Sequence, residues 1–383
     1  MNEQKTLTKG RLESLDILRG LTVTFMCMVN NPGTWSHMYA PLKHAAWFGC
    51  TPTDLIYPFF IFCMGCAMAF SLSKFESNGK AGVWKIIKRS LAIFAIGFAL
   101  NMYPFFPTDN GHLVFGWDNW VEWFQGRRIF GVLQRIACSY LIAGLLIFWL
   151  KTPRKVGIAI AALCVAYTAI LVAFGTEPGP FTLEGTISRK IDVALLGDSH
   201  VYHGYSFDDG TRAAFDPEGP LGAMTGAASC LLGYLIGLLV RKDTKAGTLS
   251  GDTSSRVFVL GMVSLAAAEL LSIWVPISKA LWTPSYVLYA GGWAMIAFAF
   301  FIYCVDIKGI KKPFKPFKVM GMNAMMAFIL SAVIVKSYQF FHYSTSTWFG
   351  ANEFLSFCHS VLFALIILGL LWILYRRKIF VKL

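Results

Sequence analysis

His44 stands ten residues before Asp54 in the stretch His44-Ala-Ala-Trp-Phe-Gly-Cys-Thr-Pro-Thr-Asp54, on the threshold of a long apolar run. A carboxylate beside an imidazole fixes its tautomer and stabilises the imidazolium, which leaves the second ring nitrogen free as base or nucleophile. A loop histidine followed by an aspartate that caps a helix after Thr-Pro-Thr explains the same spacing structurally. Spacing alone leaves both readings open.

Four more ionisable residues fall in or near apolar segments: Asp16, Arg19, Arg135 and Glu269. Such groups cost about 2.5–3.5 kcal/mol at membrane depth on insertion scales, which makes each a site candidate. Asp16 and Arg19, three apart on one helix face, can also simply neutralise each other. Arg127, Arg128 and Arg135 surround Arg128-Ile-Phe-Gly-Val-Leu-Gln-Arg135, where guanidinium groups suit an anionic cofactor or a lipid headgroup. His200-Val-Tyr-His203 is the nearest approach to a metal motif, and without a third ligand it gives no reason to expect a metal.

The segments that must position these residues are apolar. At 383 residues with 56% hydrophobic and 14% charged residues, the chain lies far from the roughly 25% charged usage of soluble domains. Runs of about 20 apolar residues predict helical spans near 13–31, 53–73, 86–103, 129–150, 155–174, 220–240, 256–275, 284–304, 317–338 and 354–375. The expected fold is therefore all-α: a polytopic bundle of about ten transmembrane helices forming a single domain over 1–383. Segment 241–256 reads as a linker between two helical halves.

The net charge of +13 raises the question of a nucleic-acid partner, and its distribution answers against one. With both termini cytoplasmic, 24 of the 34 basic residues fall in inside segments and 8 outside, as positive-inside sorting requires. All seven histidines (37, 44, 112, 200, 203, 342, 359) then map to the non-cytoplasmic side. A polar start followed by a span carrying Asp16 and Arg19 argues for a retained first span rather than a cleaved signal. The lack of an Asn-x-Ser/Thr sequon favours a bacterial inner membrane.

Two predicted outside loops, 104–128 and 175–219, are long, aromatic and acidic. Trp117, Trp120 and Trp123 suit either an interfacial belt or the lining of a sugar site. Asp216 and Glu218 could hold the loop or touch an acceptor, and residues 191–197 read as a short amphipathic or re-entrant piece. Eight of the nine cysteines lie in predicted spans, so no disulfide framework is expected, and Cys63-Met-Gly-Cys66 reads as packing.

Several motifs in order resemble the heparan-α-glucosaminide N-acetyltransferase family, a group of transmembrane acetyltransferases. They are Arg11-Leu-Glu-Ser-Leu-Asp-Ile-Leu-Arg-Gly20, Met28-Val-Asn-Asn-Pro-Gly33, the His44–Pro58 stretch, Arg128–Arg135, Phe215-Asp-Pro-Glu-Gly219, Trp282-Thr-Pro-Ser-Tyr286 and Gly321-Met-Asn-Ala324. The resemblance implies acetyl-CoA as co-substrate on the cytoplasmic side and an amino-sugar or glycan acceptor on the other. It implies His44 as the acetyl-handling residue with Asp54 as its support, and Asn30 as a contact to the acetyl carbonyl, with Asn31 the competing neighbour. Arg19, Gln134, Arg135 and Asn323 are then expected along the cofactor path, with basic residues on the phosphates. A homodimer is the assembly expectation. Phe48 stands where the family's motif has a polar residue, which points to a changed acceptor contact. An amino-sugar permease and an O-acyltransferase for a surface glycan are the competing readings.

Overall fold

The computed structural model describes residues 12–72, 79–109, 111–341 and 344–381. His342, and Lys5, Lys9, Arg11, Lys74 and Lys382 of the charge count, lie outside the described residues. The helices are α1 Glu13–Val29, α2 Ile56–Ser71, α3 Gly79–Met102, α4 Trp117–Gln125, α5 Val132–Leu150, α6 Pro153–Phe174 and α7 Ile187–Leu196. They continue with α8 Ala223–Ala246, α9 Gly251–Ser272, α10 Pro284–Phe301, α11 Lys315–Met322, α12 Ala324–Ser337, α13 Thr345–Phe349 and α14 Glu353–Arg376. Two-residue antiparallel pairs, Thr108–Asp109 with His112–Leu113 and Tyr205–Ser206 with Arg212–Ala213, decorate the long connections.

Each of the ten apolar segments is helical. Among the described residues, seven helices are long and apolar enough to cross a membrane, or eight if α11 and α12, bent by 82° at Asn323, form one broken span, against the ten expected. The shortfall lies in α1, which has 17 residues and carries Asp16 and Arg19, and in α3, whose first half holds Lys80, Lys85, Lys88 and Arg89. The expected linker 241–256 also shrinks: α8 runs to Ala246 and α9 starts at Gly251, leaving four residues between them. Asp243 on α8 accepts from Thr253 and Arg256 of α9, so the segment is a pinned helix corner. Residues 187–196 form the helix α7, which takes in most of the 191–197 piece read as amphipathic or re-entrant.

The bundle is assembled by close helix contacts, because lipid tails supply no hydrophobic drive between helices and small residues let backbones approach. At the crossing of α1 and α11, a methyl group on Gly20 would overlap the Phe317 carbonyl, and one on Gly321 would overlap that of Asp16. Arg19 donates from Nε to the Gly321 carbonyl at 2.8 Å across this crossing. α8 runs through the centre against α2, α5 and α6.

α2, α5, α8 and α10 all begin at the end of the bundle where α1 finishes. The start of α2 shows why: Thr51 and Asp54 form a capping box, with Pro52 at the first position, so backbone N–H groups are satisfied before the apolar run begins. The Tyr286 hydroxyl of α10 donates to the Asp54 carbonyl at 2.6 Å, tying the two helix starts together.

Candidate active site

Asp54 fulfils both roles that its spacing allows. Its Oδ2 accepts from the backbone N–H groups of Thr51 and Ala45 and from the Thr51 hydroxyl, each at 3.0 Å. Its Oδ1 lies 2.7 Å from His44 Nδ1 and 3.2 Å from Lys279 Nζ. The carboxylate is fully buried with every lone-pair direction engaged, so it is fixed in place and orients the half-exposed imidazole through Nδ1.

Lys279 Nζ also lies 2.9 Å from His44 Nδ1. A ring nitrogen cannot both donate to Asp54 and accept from an ammonium, and the carboxylate is the stronger acceptor. Donation from Nδ1–H to Asp54 is the tautomer assigned to the neutral ring, with Lys279 bonding the same carboxylate and the lone pair on Nε2. No described residue hydrogen-bonds Nε2.

Lys279 arrives from a distant part of the chain. Gly49 N–H donates to the Ile277 carbonyl at 2.7 Å and the Ser278 hydroxyl to the Trp47 carbonyl at 2.8 Å, zipping the 43–51 loop to the segment before α10. Trp47 Nε1 donates to the Phe181 carbonyl at 2.7 Å and its ring packs against Tyr205 and Phe215, which fastens the 175–222 connection over the same loop.

These three segments and four helices enclose a cavity of about 360 Å³. Its polar end is lined by His44, Asp54, Arg128, Glu218, Lys279 and the rings of Tyr202 and Tyr205. Its deep end is apolar, walled by Val23, Met26, Phe60, Ile136, Met325 and Phe328. From Val29 to Thr22 the cavity follows α1 for two turns, about 10 Å at 1.5 Å per residue. It ends at Ala324, beside the α11–α12 bend.

Asn30 lines the cavity, whereas the Asn31 amide donates to the Cys27 carbonyl and the Asn31 carbonyl faces His359 and Ser360. The two neighbours are thereby distinguished. Arg19, Gln134, Arg135 and Asn323 are not among the cavity residues. Arg19 bonds Asp16 at 2.8 Å and Gly321, Gln134 donates to the Ile129 carbonyl at 2.9 Å, and Asn323 binds Ile379 and Val381 of the C-terminal segment. Arg135 is fully buried over the Trp282 ring, donating to the carbonyls of Pro217 and Gly222. Arg135 thereby braces Pro217 and Trp282 of the cavity wall from outside it, while Arg19 ties α1 to α11. Glu269 is exposed on α9.

Phe48 is half exposed and lines no part of the cavity, so the departure from the family motif leaves the cavity wall itself intact. Trp117, Trp120 and Trp123 likewise lie away from the cavity, on α4, where Trp117 is 76% exposed; the aromatic wall comes from Trp47 and Trp282 instead. His200 Nδ1 sits 2.7 Å from the Arg127 carbonyl, and among the described residues no group of three or more His, Cys, Asp or Glu side chains could hold a metal ion.

Lys279 carries no signal of its own in the sequence; only its place three residues before the Trp282–Tyr286 motif marks it. Arg128, expected on a cofactor or lipid, clasps Asp216 and Glu218 instead, with Nε donating to Asp216 Oδ2 at 2.8 Å and Nη2 reaching both carboxylates. Burial works against the guanidinium charge, but the two carboxylates outweigh it and raise the Arg128 pKa. Burial likewise opposes the Glu218 charge and is overcome by Arg128, Lys279 and Arg135, so Glu218 stays ionised.

Behind this clasp, Asp192 of α7 is fully buried; Oδ2 accepts from Asp216 N–H at 3.1 Å and Oδ1 has no partner. Burial, reinforced by the Asp216 charge, raises its pKa to about 7. The folded state thus holds a proton that the unfolded chain has already lost, so Asp192 makes stability fall as pH rises from the ordinary carboxylate range to about 7, and the loss is complete above it. Asp192→Asn is expected to be stabilising relative to the wild type at pH 8 and near neutral at pH 4. Thermal unfolding in detergent at both pH values checks this, and a pH-independent difference would refute it.

The fold and site define a multi-pass helical membrane protein with an oriented imidazole above a deep, partly apolar cavity. Residues 11–191 match the family profile described as Heparan-alpha-glucosaminide N-acetyltransferase, catalytic. The chain is 27% identical to the Heparan-alpha-glucosaminide N-acetyltransferase of Mus musculus over 434 aligned positions, covering 99% of this chain and 62% of that protein. With the Homo sapiens protein of the same name it shares 27% identity over 420 positions, covering 97% of this chain and 60% of that protein. The family resemblance carried by the motifs is borne out, and the chain is a relative of these proteins that spans about 60% of their length. His44, Asp54, Asn30 and Arg128 lie inside the matched region, Glu218 and Lys279 beyond it.

Proposed function

We propose that the protein is a transmembrane acetyltransferase that moves an acetyl group from acetyl-CoA to the amino group of a glucosamine-type sugar. The observation that carries this reading is His44, oriented by Asp54 with Nε2 free, in the wall of a cavity whose depth is apolar. A pantetheine thioester arm fits the apolar part, which would present the acetyl carbonyl to His44 and to Asn30. The names of the mouse and human relatives supply the acceptor class.

A second hollow of about 500 Å³, lined by Lys318, Met322, Arg376 and Lys378 with Glu13, Tyr375 and Phe380, opens at the opposite end of the bundle. Met322 lines it and Ala324 lines the His44 cavity, on either side of the α11–α12 bend at Asn323. Its basic side chains suit the CoA phosphates, with Arg19 and Asn323 beside the α11–α12 bend between the hollows and Gln134 and Arg135 behind the polar end. The described basic residues concentrate in segments at this end, 19 against 8, which supports placing it in the cytoplasm and His44 on the other face, periplasmic in a bacterial inner membrane.

In the balanced reaction the sugar ammonium and the thioester give an amide, free CoA thiol and one proton. His44 Nε2 takes the ammonium proton before attack, or first accepts the acetyl group itself and passes it on. Purified protein in sealed proteoliposomes, given acetyl-CoA on one side and glucosamine on the other, is expected to release CoA and form N-acetylglucosamine. Uptake of labelled sugar without CoA release would replace this reading with a permease, and an ester product would replace it with an O-acyltransferase.

A further inference from the structure

We infer that Glu218 is the acceptor-selecting residue: it receives the substrate as a cation, binding the ammonium of an amino sugar through Oε1. This deepens the acetyltransferase reading and rests on it for the identity of the sugar, though not for the preference for a cation.

Glu218 lines the polar end of the cavity with His44 and Lys279, on the loop that leads into α8. Its Oε2 is held by Arg128, while Oε1 makes no hydrogen bond among the described residues. A buried carboxylate with one oxygen fixed and the other unpartnered in a cavity wall is a preformed acceptor for a ligand N–H. Asp216, on the same guanidinium, differs in being used up: both its oxygens bond Arg128, Oδ1 also accepts from Glu218 N–H, and its side chain is fully buried. Asp54 is equally saturated. Among the three carboxylates around the site, only Glu218 has an oxygen to offer.

The two cations facing the cavity are each already paired. Arg128 is occupied by two carboxylates and Lys279 by Asp54, so neither presents an unpaired positive charge to an incoming amine. The rings of Tyr202 and Tyr205 stand in the same wall as Glu218, Tyr202 under the Arg128 guanidinium and Tyr205 packed edge-on against Trp47, Tyr202 and Phe215, so this end of the cavity is rigidly walled. Held by Glu218, the ammonium shares the cavity with His44 Nε2, which can take its proton and release the nitrogen lone pair for attack on the acetyl carbonyl. A hydroxyl acceptor can also donate to this carboxylate, but it brings no positive charge and so forms no ion pair with it.

The test compares ligands on the wild type and on Glu218→Gln, a variant that keeps a side-chain oxygen for Arg128. By calorimetry the wild type is expected to bind 2-dimethylamino-2-deoxyglucose, a cation that cannot form a stable amide, about 10–100-fold more tightly than glucose. In Glu218→Gln this preference should collapse, with KM for glucosamine raised about tenfold or more, and Glu218→Asp should recover part of it. Equal binding of the two sugars by the wild type overturns the inference, whether or not any variant folds. So does a wild-type KM for glucosamine in Glu218→Gln. Preferential cation binding in a protein that releases no CoA would uphold the inference and overturn the acetyltransferase reading.

Discussion

Replacement of His44 by alanine is expected to lower CoA release from acetyl-CoA and glucosamine by about a thousandfold or more, as removal of a group that serves as base or nucleophile does. The loss should appear in kcat, because the apolar depth proposed for the pantetheine arm is walled by other residues. Asp54→Asn tests the orientation. An asparagine can turn its NH2 toward Nδ1, which moves the ring proton to Nε2 and removes the free lone pair, and about 10²–10⁴-fold should be lost with the bundle intact. Capping bonds from Thr51 and Ala45 also converge on Asp54, so a small drop in thermal stability accompanies the kinetic effect. CoA release followed with a thiol-reactive dye is the measurement. More than a tenth of wild-type turnover in His44→Ala would remove His44 from the chemistry.

Arg128→Ala should produce the largest loss of stability among the site residues. It leaves Asp216 and Glu218 facing each other without the cation between them, and stripping one partner from a buried charge cluster costs about 3–5 kcal/mol. The pair sits on the connection that precedes α8, the helix packed against α2, α5 and α6, so the loss should be felt in global unfolding. Arg128→Lys should recover less than half of the deficit, since an ammonium cannot make the forked contact in which Nε and Nη2 both reach Asp216. Combining Arg128→Ala with Glu218→Gln should cost less than the sum of the two changes, because the second removes part of the repulsion that the first exposes. Denaturant unfolding in mixed micelles reads all three, and a change under about 0.5 kcal/mol for Arg128→Ala would show the clasp to be dispensable.

The legible part of the site was the part written in one contiguous stretch. His44 and Asp54 are ten residues apart, Thr51-Pro52 announces a helix start, and such local signals act through nearest-neighbour geometry. Lys279 lies 235 residues from His44, and nothing near it states its partner. Arg135 and Gln134 are read in sequence as polar groups inside a span, hence as ligand contacts, but their amide and guanidinium groups meet backbone carbonyls and the Trp282 ring of the protein itself. A buried polar side chain must be satisfied, and a sequence does not say whether protein or ligand does it.

Hydropathy by itself determined that this chain folds as a bundle of apolar helices, where each of them lies and how the charges divide between the two ends, because burying a helical backbone in lipid demands long apolar runs whatever their partners. It did not determine how many of those helices span a membrane, since α1 and α3 mix charge with apolar length. Only the tertiary structure decided which titratable residues meet. The Lys279 segment zips to the His44 loop, Arg128 closes on the 215–219 turn, and Asn30 rather than Asn31 faces the cavity, each by backbone hydrogen bonds and helix packing between segments too distant in sequence to constrain one another locally.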